Sequence, residues 1–250
     1  YINGDIIGLY QEFHPTGELS LRGRYSRGLR EGTWIRYHLN GQWAEKGEYR
    51  LGLQSGPWEA WFPDGSIEHS TKYVEGARQG KWTALFANGE RSEEGFYEDG
   101  SRDGLWTEWF ENGRTRVSGL YKHGRKHGEW VHFFESGVRQ FQETYQNGIR
   151  AGPARGWYED GFDKWLGAYA DNLRSGPWIE YHRNRRKKSE GFFSEGRLSG
   201  EWRYWFENGQ IQAQGQFLAG RQIQVWKFWN EDGALLGRFE YGGKAPVQMP

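Results

Sequence analysis

Five of the six residues in the run Arg183-Asn-Arg-Arg-Lys-Lys188 are basic. Arg183, Arg185, Arg186, Lys187 and Lys188 together have the chemistry to hold an anion: a phosphorylated lipid headgroup, an acidic protein or a nucleic acid. The competing reading is a solvated turn tip. A second set is aromatic. Trp61, Trp109, Trp157, Trp205 and Trp229 recur at multiples of 24 residues. If exposed, they offer stacking faces for sugars, quaternary ammonium groups or a partner's apolar side chains. If covered, they are the second half of a core.

Other reactive types carry less. His123 and His127 make an H-x-x-x-H, but "GRK" between them reads as a turn, and two ligands are too few for zinc. Paired carboxylates such as Glu93–Glu94, Glu98–Asp99, Glu159–Asp160 and Glu231–Asp232 fall mostly beside turns, where they cap and solubilise. There is no G-x-S-x-G, phosphate loop or HExxH, and "GGK" at Gly242–Lys244 is too short to signify. The expectation is a protein without catalysis, metal or cofactor.

The elements that position these residues follow from composition and period. Leu, Ile and Val total 31 residues, against 44 Trp, Tyr and Phe. The aromatics must supply the core. With 33 Lys+Arg and 33 Asp+Glu, the neutral balance argues against a general nucleic-acid binder. No apolar run is long enough for a membrane-spanning helix, and the absence of Cys excludes disulfides and thiolate metal sites.

Counting from Gly8 in steps of 24 gives glycine at 32, 56, 80, 104, 128, 152, 176 and 200, then Gln224. Two places on stands Trp in every copy but Tyr10 and Ala154, and five places on stands Trp61 and its equivalents. Nine places on is glycine except Arg185. Fifteen places on is glycine except Thr71, Glu143 and Phe239. Seventeen places on is always Tyr or Phe, from Tyr25 to Tyr241. His14, His38 and His182 occupy a seventh-place column otherwise rich in Phe.

Two aromatic runs flanking an Asn-Gly or Asp-Gly step spell a β-hairpin, and a second turn passes the chain to the next hairpin. Alternation puts the third-place Trp and seventh-place aromatic on one face, and the sixth-place aromatic on the other. The glycine two before the Tyr column leaves bare backbone for a neighbouring strand's Trp. A hairpin this short cannot bury its face alone, so neighbours must stack. The fold expected is all-β, an elongated solenoid or open twisted sheet of stacked antiparallel β-hairpins. At a strand spacing of roughly 4.8 Å the array advances about 90–100 Å.

The array reads as residues 1–243, with copies starting near 8, 32, 56, 80, 104, 128, 152, 176, 200 and 224. Tyr1 and Gly4 fit the tail of an upstream copy, which suggests a start inside a longer array. Residues 244–250, with Lys244, Pro246 and Pro250, suit a cap that blunts the last edge.

These columns resemble MORN repeats of the variant type, common in bacterial proteins and often labelled antitoxin-like. The resemblance covers residues 1–243. It implies elongated sheets of stacked hairpins that bind or organise other proteins, with no catalytic residue set. Lipid-headgroup binding is proposed for some relatives, and the antitoxin label implies a toxin partner. Choline- and glucan-binding hairpin repeats are a poorer match, with a shorter period and different Trp-Tyr spacing.

The expected function is therefore a non-catalytic protein-interaction or assembly scaffold. The alternatives are a cell-envelope glycan or anionic-lipid binder and an antitoxin-type protein. Self-association through the sheet ends is open, and the chemistry leans to a bacterial envelope or exported setting. The copy from Gly152 to Ser175 is the least regular, with Ala154 for Trp, an extra Trp165 and Asn172 for a turn glycine. Residues 152–188 are thus the best-marked special region.

Overall fold

The structure, a computed structural model, describes residues 6–242 and 247–249. Every element in it is a strand. The chain divides into two units, Tyr1–Arg125 and Lys126–Pro250.

The first unit holds β1 (Gly8–Phe13), β2 (Leu19–Ser26), β3 (Leu29–Tyr37), β4 (Trp43–Arg50), β5 (Leu53–Trp61), β6 (Ile67–Val74), β7 (Ala77–Arg78), β8 (Gly80–Leu85), β9 (Arg91–Glu98), β10 (Ser101–Trp109) and β11 (Thr115–Lys122). The second holds β12 (Arg125–Phe133, all but its first residue), β13 (Arg139–Gln146), β14 (Ile149–Trp157), β15 (Asp163–Ala170), β16 (Leu173–Tyr181), β17 (Lys187–Ser194), β18 (Arg197–Trp205), β19 (Ile211–Leu218), β20 (Arg221–Trp229), β21 (Leu235–Tyr241) and β22 (Val247–Met249). Within each unit, strands pair antiparallel with their neighbours in sequence, except that β7 and β8 both pair with β6.

Two turn types alternate, each set by glycine. At the hairpin tip the His38 N–H donates to the Gln42 carbonyl at 2.8 Å and the Gly41 N–H to the His38 carbonyl at 2.9 Å. Gly41 has φ of 80°, so the tip is a three-residue loop closed by a left-handed glycine. The register then slips: Arg36 faces Glu45, yet Tyr37 faces Trp43. The passing turn is a two-residue loop with both residues left-handed, as at Leu51 (50°) and Gly52 (81°), which matches strand twist.

Where one hairpin meets the next, Gly56, Pro57 and Trp58 bulge opposite Gly47 alone. The Trp58 ring folds back onto that glycine: a Cβ on Gly47 would lie 2.1 Å from it. Gly95 under Trp106, Gly191 under Trp202 and Gly215 under Trp226 repeat the contact. The bare backbone expected from the sequence is thus used by a Trp from the following hairpin. Trp34, Trp58, Trp106, Trp130, Trp178, Trp202 and Trp226 are all buried by this device or its neighbours. At Thr71 the glycine is missing, and there the following strand is broken into β7 and β8.

Hairpins are also tied at their tips. His38 donates Nε2–H to the Trp61 carbonyl at 2.7 Å, and His182 to that of Trp205 at 2.8 Å. Asn40 and Asn208 reach the Pro63 and Glu231 carbonyls at 2.5 and 2.7 Å. The histidines that share a column with Phe therefore act as polar rungs rather than as apolar fill. In the proposed cap, β22 pairs with β21; Lys244, Pro246 and Pro250, like Tyr1 and Gly4, lie outside the described residues.

Candidate functional site

The Trp columns separate as alternation requires. Ala60 is buried on the core face, so Trp61, the next residue of β5, points to the other; the register shift between them places its extra residue, Glu68, on β6. There the sixth-place ring is half-buried, and basic stems cover it along much of the chain. Arg91 lies 6.0 Å from the Trp109 ring centre, Arg155 5.0 Å from Trp157 and Lys187 5.8 Å from Trp205. Trp157 is buried, and Trp229 is half-buried with Leu235 across from it. The five candidates do not converge on one site.

Trp61 differs. Its ring meets Trp43 at 5.6 Å and 64°. Trp43 is 43% exposed, and it belongs to neither Trp column. The tip register slip puts it opposite Tyr37, on the face of Trp61. Gly41, Gln42 and Gly65 complete a cleft of about 320 Å³ around the two rings. Phe13, Tyr37 and Ile67 continue an apolar strip on this face, with Phe13 and Ile67 exposed.

The basic run is exposed but mostly engaged. Arg183 stacks 5.1 Å from the Tyr158 ring centre and Arg185 3.2 Å from that of Phe162. Arg186 donates to the Asn208 carbonyl, and Lys187 holds Glu190 at 2.6 Å. Lys188 is exposed on β17. The run thus braces the tips on either side. Arg185 keeps φ of 69°, the left-handed conformation that the missing glycine would have taken without strain.

The irregular copy is a compensated exchange. Glu143 replaces the platform glycine and faces Ala154, which replaces the Trp. Its carboxylate accepts from the Tyr145 hydroxyl at 2.8 Å and from Arg150 at 3.1 Å. Burial first, and Glu143 second, push the Tyr145 hydroxyl well above its ordinary pKa. Trp165 lies over Gly156 and stacks on Trp178 at 5.2 Å and 15°, refilling the core. Asn172 takes the left-handed turn position at 67°.

Two features escape column reading. Arg30, Arg102 and Arg174 lie 4.3, 4.2 and 4.5 Å over the rings of Trp34, Trp106 and Trp178. Glu93 is not a turn-solubilising residue: it accepts from Trp82 Nε1 at 2.9 Å, Trp106 Nε1 at 2.8 Å and Arg102 at 3.0 Å. Three donors on one carboxylate make it a structural keystone. His123 is in a passing turn and takes its N–H to Asp103 at 3.0 Å. Among the described residues no three His, Asp or Glu side chains gather as metal ligands, and no helix is long and apolar enough to cross a membrane.

Residues 30–50, 102–123, 126–147 and 198–219 match the model of the MORN repeat variant family. The chain carries MORN-type repeats. Such repeats suggest a protein-interaction module and are in general non-catalytic. No curated protein matches the chain. Among solved structures it is similar to the Photorhabdus luminescens Tc holotoxin pore, at 11% identity and a TM-score of 0.24, over 91% of this chain and 13% of that one. It is also similar to a TcdB2–TccC3–Cdc42 complex, at 11% identity and a TM-score of 0.19, over 96% of this chain and 14% of that one. The MORN-type chain thus spans 13% and 14% of the length of those two chains.

Proposed function

We propose that this MORN-type chain is a non-catalytic scaffold that binds a partner protein on the face opposite its Trp–Gly core. One observation carries the reading. On that face Trp61 meets the exposed Trp43, which Lys46 overlies at 4.7 Å, and exposed Phe13 and Ile67 extend the pair into an apolar strip. Exposed aromatic anchors backed by a rigid sheet are what protein interfaces concentrate their energy on. The titratable side chains support the same conclusion, since Glu93, Glu143 and the tip histidines are engaged in holding strands together.

The test is affinity capture of the tagged chain from its source cells, read by quantitative mass spectrometry against an Ile67→Ser, Phe13→Ser variant. Reproducible enrichment of a protein by the wild type, reduced in the variant, supports the scaffold. Saturable binding to isolated cell-wall glycan or anionic vesicles, with no enriched protein, overturns it.

A further inference from the structure

Among the described residues the chain has five Asn-Gly steps. Asn40, Asn88, Asn112 and Asn208 stand at hairpin tips, and Asn147 stands at a passing turn. All five asparagines are exposed. In all five steps the glycine N–H is donated to a backbone carbonyl, at 2.8–3.0 Å. What sets them apart is the carboxamide.

At the tips it is clamped. Asn40, Asn88 and Asn208 accept the N–H two residues on at 3.1, 2.9 and 2.8 Å. Their Nδ2 atoms donate to the Pro63, Glu111 and Glu231 carbonyls at 2.5, 3.1 and 2.7 Å. Asn112 accepts from the Arg114 N–H at 3.0 Å. The Asn147 carboxamide makes no hydrogen bond within the described residues. Its turn also lacks a brace that three other passing turns have. Glu31, Gln79 and Asp103 accept the turn N–H twenty residues on, from Leu51, Asp99 and His123, at 2.8, 2.9 and 3.0 Å. In that place before Asn147 stands His127, whose Nδ1 is buried without a partner. Gly148 puts no Cβ in the way of the freed side chain.

We propose that Asn147–Gly148 is a self-modification site, where the chain deamidates with water as the only co-reactant. The Gly148 nitrogen attacks Asn147 Cγ. The bond from Cγ to Nδ2 breaks, and that nitrogen leaves as ammonia with the Gly148 proton. Water then opens the cyclic imide. Addition at Cγ restores the ordinary peptide bond and leaves an aspartate at position 147. Addition at the main-chain carbonyl carbon leaves an isoaspartyl linkage instead.

The two products meet the fold differently. Aspartate is native to this turn place, at Asp99 and Asp171 with φ of 47° and 50°. An isoaspartyl linkage runs the main chain through Cβ and so adds an atom to a two-residue loop. That loop is closed by Gln146 opposite Ile149 and Tyr145 opposite Arg150. The added atom strains the segment that holds Arg150 on Glu143.

The experiment incubates the full chain at mildly alkaline pH and follows each asparagine by peptide mapping with mass spectrometry. In the folded chain Asn147 deamidates roughly tenfold or more faster than Asn40, Asn88, Asn112 or Asn208, the factor that a tip clamp is worth. In urea the five rates converge. Fresh Asn147→Asp keeps the wild-type urea midpoint. The aged wild type loses midpoint as its isoaspartyl content rises, whereas Asn147→Gln aged in parallel keeps its own. A tip asparagine that reacts as fast as Asn147 in the folded chain overturns the inference, as does a preference for Asn147 that persists in urea. An aged wild type that loses no more stability than aged Asn147→Gln overturns the strain assigned to the isoaspartyl turn.

Discussion

Glu143 stands directly across the strand pair from Ala154, at a place where other hairpins set a bare glycine beneath a tryptophan. Neither residue makes sense alone. Glu143 puts a side chain where the platform is otherwise bare, and the alanine across from it leaves room for that side chain.

The pair should therefore behave as a unit. Ala154→Trp drives an indole into Glu143 and costs about 2 kcal/mol or more. Glu143→Gly strands Tyr145 and Arg150 and opens a void, costing about 2–3 kcal/mol. The double variant rebuilds the ordinary Trp-on-glycine contact, so its loss is smaller than the sum by about 1–3 kcal/mol. Urea unfolding of the four proteins measures this; strict additivity refutes the compensation.

Glycines of one column should tolerate alanine differently from those of another. A Cβ on Gly95 would lie 2.0 Å from the Trp106 ring, whereas Gly104, with φ of 73°, has open space around it. Gly95→Ala should cost about 3 kcal/mol through displacement of a buried indole. Gly104→Ala should cost about 1 kcal/mol, from the left-handed backbone alone. Equal losses in thermal or urea melts count against the platform role of Gly95.

Arg185 offers the opposite sign. Arg185→Gly removes left-handed strain of roughly 1–2 kcal/mol and gives up a ring contact worth about 0.5–1 kcal/mol. A net gain of about 0.5 kcal/mol in unfolding free energy follows. Arg185→Ala keeps the strain and loses the contact, so it destabilises. If Arg185→Gly is the worse of the two, the stacking on Phe162 outweighs the backbone.

His69 makes stability depend on pH. Its ring lies 4.9 Å from that of Trp82, and burial, the largest cause, holds its pKa below the ordinary value while Glu68 and Glu45 act weakly the other way. The unfolded chain thus takes up the proton more readily than the folded one. The stability His69 contributes is complete above the unfolded value of about 6.5 and is lost as pH falls below it. His69→Phe should flatten the decline in urea midpoint between pH 7 and pH 5. An unchanged slope refutes the assignment.

Much of this was legible in the residues. The turn glycines, the two faces and the glycine beneath most third-place Trp residues follow from spacing, because turn chemistry and side-chain volume are local demands. The arginine lane was not. In a regular strand Arg30 and Trp34 would sit about 13 Å apart, and only the bulge at Gly32 brings guanidinium over ring. Trp43 was missed for a related reason: the register slip at the tip turns it toward Trp61. Glu93 looked like a turn carboxylate because nothing in a period shows that two indoles of successive hairpins aim at it. At Arg183–Lys188 the charges were visible in sequence, but their engagement with Tyr158, Phe162 and Asn208 depends on neighbouring tips.

The direction of the Trp-on-glycine contact has a consequence for biosynthesis. Gly47 precedes Trp58, Gly95 precedes Trp106 and Gly191 precedes Trp202, so each ring arrives on a platform translated earlier. For these contacts, an indole leaving the ribosome finds its seat already made. Order of synthesis and order of assembly coincide, which shortens the time that the stickiest side chains spend uncovered.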